Sequence, residues 1–150
     1  MNVGIIVFSQ TGNTLAVAEK LEAAIKSQGH TASIERIEGI SEGTRVSLTS
    51  TPRVEPYDAI IFASPVQAFT LALVMKQYLS QIPDLSDKTV YCFVTQQLKK
   101  AWLGGNRAVR KITDACKVRG VDVKKSGIVH WSSKARENQI NDIVNRLSSF

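Results

Sequence analysis

The chain predicts an α/β protein: a parallel sheet with helices on both faces. Short, nearly continuous apolar runs of strand length recur at Val3–Phe8, Ala59–Ala63 and Lys88–Thr95, the pattern of strands buried on both sides. Between them lie stretches whose apolar residues repeat at helical spacing, and strands alternating with helices imply parallel pairing. At 150 residues with 43% hydrophobic content, the chain is long enough to bury a sizeable core and fits one domain, residues 1–150.

In chain order, Val3–Phe8 is the first strand. Leu15, Ala18, Leu21 and Ile25 mark one face of a first helix ending at Ser27, and Gln28-Gly29-His30 stops it. Thr31–Ile37 follows as a strand at the sheet edge. Residues 39–57 are the least readable stretch, because Gly39, Ser41, Gly43, Ser47, Ser50 and Pro52 interrupt every long pattern; a short helix and a loop fit equally. Ala59–Ala63 is the third strand, and Ser64-Pro65 is expected to end it, since proline cannot continue a central ladder. Val66–Thr70 is then a loop and Leu71–Gln81 a helix stopped by Pro83 and Asp84. Lys88–Thr95 is the fourth strand, followed by a long connection, Gln96–Asn106. Ala108, Val109, Ile112, Ala115 and Cys116 line one face of the next helix, which Gly120 ends. Val121–Trp131 is the fifth strand, with a bend near Gly127. Ser132 or Ser133 caps a last helix carrying Ile140, Ile143, Val144 and Leu147 at i, i+3, i+4, i+7.

The most informative stretch is the turn between the first strand and helix, Ser9-Gln10-Thr11-Gly12-Asn13-Thr14. A strand-to-helix turn presents backbone N–H groups and the positive end of the helix dipole, which together make an anion site. Ser9, Thr11, Asn13 and Thr14 add side-chain donors, and Gly12 permits a tight turn. The turn holds no Lys or Arg; Lys20 is the nearest cation in sequence. Neither GxxxxGK[ST] nor GxGxxG is present, so the cradle suits a single terminal phosphate held by neutral donors. The same residue types cap ordinary helix starts, and the turn alone leaves both uses open.

This hexapeptide resembles the phosphate loop of flavodoxins, [ST]-x-T-G-N-T, and matches every fixed position. The resemblance extends more loosely over the whole chain. It implies a flavodoxin-like three-layer α/β/α sandwich with a five-stranded parallel sheet of order 2-1-3-4-5. It also implies bound flavin mononucleotide (FMN) at the switch point between strands 1 and 3. The phosphate would lie on Ser9, Gln10, Thr11, Gly12, Asn13 and Thr14.

The other two loops at that end of the sheet would then hold the flavin ring. Ser64-Pro65-Val66-Gln67-Ala68-Phe69 resembles the family's Ser-Pro loop, whose backbone meets the N5 and O4 edge; Phe69 or Val66 would cover the dimethylbenzene side. Phe69 also fits simple packing at a helix start. Thr95-Gln96-Gln97-Leu98, with Trp102, Gly104 and Gly105, falls where flavodoxins place the remaining ring-binding loop. Many members stack a tyrosine there, and this chain has none, leaving Trp102 or Leu98 as the large side chains. Backbone N–H groups near Gln97, Gly104 or Gly105 would meet the pyrimidine O2.

Charge divides unevenly. Residues 1–75 hold 5 Lys+Arg and 7 Asp+Glu, a net −2, whereas residues 76–150 hold 14 and 6, a net +8. A basic half fits nucleic acid, a membrane surface or an acidic protein partner, and no zinc spacing, arginine-rich tract or aromatic RNA-binding motif points to nucleic acid. No run approaches the ~20 apolar residues of a membrane span, and the N-terminus has no basic-then-apolar leader layout. Cys92 and Cys116 lack metal spacing and read as buried thiols of a reduced, cytoplasmic protein. No nucleophilic triad or metal site is evident, and His30 and His130 read as structural. The expected function is an FMN-binding electron carrier serving redox partner proteins. The alternatives are an FMN-dependent NAD(P)H:quinone-type oxidoreductase of the same fold and a flavin-free interaction domain.

Overall fold

Side-chain alternation along the strands divides the interior into two cores, one on each face of a single sheet. The computed structural model describes residues 1–150, apart from the side chain of Ala101. The main strands are β1 (Asn2–Val7), β2 (Thr31–Arg36), β5 (Ala59–Gln67), β7 (Thr89–Gln96) and β8 (Val123–His130). They are parallel and ordered β2-β1-β5-β7-β8, which is the 2-1-3-4-5 arrangement. Helices α1 (Asn13–Ser27) and α4 (Arg136–Leu147) cover one face; α2 (Leu73–Leu79) and α3 (Gly105–Val118) cover the other.

Val3, Ile5, Val7, Ile61 and Phe93 point to the α1/α4 core, while Ile6, Ile60, Phe62, Val90 and Cys92 point to the α2/α3 core. Helix α1 buries Val17, Ala18, Leu21 and Ile25, the stripe its spacing implies. Cys92 and Cys116 are free and fully buried, and burial pushes both thiols up to about 12. Among the described residues no helix is long and apolar enough to cross a membrane.

Several expected boundaries shift. Residues 39–57 contain neither a helix nor a plain loop, but an antiparallel hairpin of β3 (Glu38–Glu42) and β4 (Arg45–Ser50). The alternation Arg45-Val46-Ser47-Leu48 explains it: Val46 and Leu48 pack on the α2/α3 core, and the polar residues between them face outward.

Pro65 does not end β5, which runs on to Gln67 with Pro65 opposite Thr95. The backbone of Ala63 faces β1, since its carbonyl accepts from Phe8 N at 3.0 Å. By alternation Pro65 faces the same side, where the β1 ladder has already ended at Val7; its missing N–H removes no ladder bond.

Residues 66–70 are a tight hairpin rather than an open loop. Val66 and Gln67 pair with β6 (Thr70–Leu71), and the following helix is accordingly shorter than Leu71–Gln81. Strand β8 runs unbroken through Gly127. Helix α4 has no side-chain cap, although Ser133 Oγ accepts from Ala135 N at 3.0 Å just before it.

Candidate functional site

The carboxyl ends of β1, β5 and β7 open onto one cavity of about 490 Å³, within the size range of cofactor pockets. The first loop contributes Gln10, Thr11 and Asn13, the second Pro65, Val66 and Gln67, and the third Thr95, Gln96 and Gln97. Trp131, just past the end of β8, completes the lining.

The first loop is built to leave helix donors free. Gly12, at φ 93°, is the N-cap of α1 and offers no side chain to cap it. The first intrahelical bond runs from Ala16 N to Gly12 O at 2.9 Å, so earlier N–H groups have no helical acceptor. Ser9 Oγ accepts only from Leu15 N, at 3.3 Å. Thr14 is buried and shares a 2.8 Å hydroxyl bond with Thr95, tying the first loop to the third; neither Ser9 nor Thr14 lines the cavity. This arrangement fits a phosphate: neutral donors and a helix N-terminus whose N-cap residue has no side chain to compete, with Ser9 Oγ taking the Leu15 N–H alone.

The second loop closes on a two-residue turn in which Ala68 (φ 49°) and Phe69 (φ 61°) are both left-handed, the geometry hairpins favour but one normally given to Asn and Gly. Each non-glycine residue there costs about 1–2 kcal/mol. Gly104, at φ 125°, holds the turn from the other side: a Cβ on it would lie 2.8 Å from the Phe69 Cα and 2.7 Å from a Val66 methyl. The side-chain amide of Gln67 donates to Gln10 Oε1, linking the second loop to the first. Ser64 is fully buried and donates to Pro65 O at 3.0 Å.

The third loop is pinned from within. Gln96 Nε2 donates to Leu98 O (2.8 Å) and Lys100 O (2.7 Å), and His130 Nδ1 donates to Leu98 O at 3.0 Å. Gly104 and Gly105 are buried at the start of α3. Leu98 and Trp102 stay outside the cavity, and Trp102 is 75% exposed. Phe69, 56% exposed, also stays outside it. Lys99, Lys100 and Arg107 are exposed around this loop.

Sequence reasoning did not find Trp131. Its position directly after the last β8 residue was the available signal, since residues ending a parallel strand face the crevice. Among the described residues no group of three or more His, Cys, Asp or Glu side chains is placed to hold a metal ion.

A doubly wound sheet with a ligand-sized crevice at the β1/β5 switch point defines the flavodoxin-like class. The family model described as a flavodoxin domain matches residues 4–102, and the chain belongs to the flavodoxin family. Among solved structures, oxidised flavodoxin 1 from Bacillus cereus is similar at 18% identity and TM-score 0.71, over 97% of this chain and 93% of that one. The Trp repressor binding protein from Bacillus subtilis is 17% identical, with TM-score 0.72 over 98% of both chains. A flavoprotein in complex with FMN from Lactobacillus acidophilus NCFM is 18% identical, with TM-score 0.62 over 94% of this chain and 97% of that one. At such low identity the likeness, carried by the TM-scores, is one of fold. No curated protein matches the chain.

Proposed function

We propose that this protein binds FMN and serves as an electron carrier between redox partners. The observation that supports the reading best is the neutral start of α1 opening onto the cavity. There the N–H groups of the first loop, with Thr11 and Asn13, would hold the phosphate, and Ser9, Gln10, Gly12 and Thr14 would shape the loop. The ring would lie between the second and third loops. Pro65, Val66 and the Gln67–Phe69 backbone would border it on one side, with Thr95, Gln96 and Gln97 on the other; Ser64, Gly104 and Gly105 are buried beneath those loops, and Leu98 and Trp102 lie outside the cavity. When bound, the flavin supplies the redox chemistry, and the protein supplies binding and orientation. The Lactobacillus neighbour is named for its FMN complex, which supports the choice of cofactor. Two buried free thiols suit a reducing, cytoplasmic setting.

Exposed Lys99, Lys100 and Arg107 beside the third loop favour an acidic redox partner, because opposite charge at the mouth speeds encounter.

The test is flavin binding to the purified apoprotein. FMN is expected to bind at least tenfold more tightly than riboflavin, since charge-assisted hydrogen bonds contribute roughly 1.5–3 kcal/mol each. Thr11→Val should weaken FMN and leave riboflavin unchanged. Equal affinities for the two flavins in the wild type would refute the phosphate assignment. Consumption of NAD(P)H by the protein alone would make it an enzyme rather than a carrier.

A further inference from the structure

Among the described residues Trp131 is the one aromatic lining the cavity. It lies beyond the stretch matched by the family model, and the third loop supplies no aromatic wall of its own. Its position is fixed on three sides. Its backbone N–H donates to Gln96 O at 2.7 Å, continuing the β7–β8 ladder one residue past β8. The indole packs against the α1/α4 core. The Arg136 guanidinium lies 4.9 Å from the ring centroid, while its Nη1 donates to Trp131 O at 2.9 Å. The neighbouring Ser132 donates to Gln97 O through both N (3.2 Å) and Oγ, so this segment and the third-loop stem form one wall.

An indole lining the same cavity as Pro65 and Val66 is suited to a flat, electron-poor ring, because aromatic pairs add attraction beyond the area they bury. Resting on the FMN reading above, we propose that Trp131 is this protein's aromatic contact to the flavin ring. Arg136 is the positioning residue that holds the indole against it. The aromatic wall therefore comes from the end of β8, where the sequence pointed to Trp102 or Leu98 on the third loop.

The experiment measures affinity and bound-state emission for FMN and for lumiflavin, which has the ring without the ribityl phosphate. An indole in contact quenches flavin emission and phenylalanine does not. Trp131→Phe, which keeps an aromatic against the α1/α4 core, is expected to raise bound-flavin emission severalfold. Trp131→Leu should weaken FMN and lumiflavin by the same factor, about three- to tenfold. Trp102→Phe should change neither quantity. Arg136→Met should shift emission in the direction of Trp131→Phe, and Arg136→Lys, which restores a cation over the ring, should return most of the way to wild type. The proposal is overturned if bound FMN stays fully quenched in Trp131→Phe. It is also overturned if Trp131→Leu weakens FMN but spares lumiflavin, which would put the indole at the ribityl phosphate. Failure of wild type to bind either flavin overturns the cofactor reading itself, and appears before any variant is compared.

Discussion

The first and third loops border the same cavity and differ in the charge they carry and in the groups they leave free. The first carries no charged residue of its own: Gly12 turns the chain as the N-cap of α1, the Arg36 guanidinium donates to Ser9 O from β2, and Thr11 and Asn13 are left lining the cavity. The third is cationic and held by side chains. Gln96 grips two of its carbonyls from beneath, His130 a third contact from β8, and Lys99 and Lys100 are left outward. One loop leaves backbone donors of the first helical turn without a helical acceptor. The other uses its interior bonds to hold a fixed charged surface toward solvent. On the proposed reading the two loops take separate tasks, anion capture for the first and partner encounter for the third.

Gly104→Ala gives the largest expected effect and breaks the comparison outright. The added Cβ would collide with the Phe69 backbone at a position of φ 125°, so the third loop must leave the strained second-loop turn. Overpacking and an unfavourable backbone angle together should cost roughly 2–4 kcal/mol, read as a lower urea midpoint. Flavin affinity should fall as well, since both loops border the cavity. An unchanged midpoint would mean that the turn does not depend on Gly104.

A smaller effect sharpens the division of tasks. Lys99→Glu with Lys100→Glu should leave FMN affinity unchanged and slow electron transfer to an acidic partner at low salt. Exposed charges are screened over about 10 Å at 0.1 M salt, so the wild-type rate should drop as salt rises and the double variant should lose or reverse that slope. Stopped-flow rates indifferent to salt in the wild type would remove the third loop from partner encounter.

The smallest effect is a control remote from both loops. The Tyr57 hydroxyl donates to Glu35, and burial, reinforced by that carboxylate, raises its pKa from 10 to about 12. Below pH 10 the group is neutral in both states and contributes no pH dependence. Between pH 10 and 12 the unfolded chain ionises first and binds fewer protons, so stability falls as pH rises. Tyr57→Phe should remove its share of that slope and leave FMN binding intact, while Tyr78 and Tyr91, also raised by burial, keep theirs. Alkaline unfolding curves of the two proteins provide the comparison.

The same contrast explains what could be read in advance. The first loop is six adjacent residues between a strand and a helix, so its chemistry and placement are both local. The second and third loops could be located from the strands before them, but not shaped. Pro65 reads as a stop until the early end of the β1 ladder is known, and Trp102 reads as a ring contact until it is seen outside the cavity. The 38–50 hairpin was hidden because its glycines and serines resemble a loop. Its alternation gains meaning only from the α2/α3 core that receives Val46 and Leu48.

By itself the sequence determined the buried strands, the helical stripes and the phosphate-type turn, because each follows from the spacing of residues that are neighbours along the chain. Only the tertiary structure decided that Thr14 would bond Thr95, that Gly104 would hold the turn at Ala68-Phe69, and that Trp131 would wall the cavity beside Thr11 and Asn13. Each of those contacts joins residues more than thirty positions apart. Parallel strand pairing sets such contacts, since every strand reaches its neighbour through a long crossover whose end point no local pattern specifies.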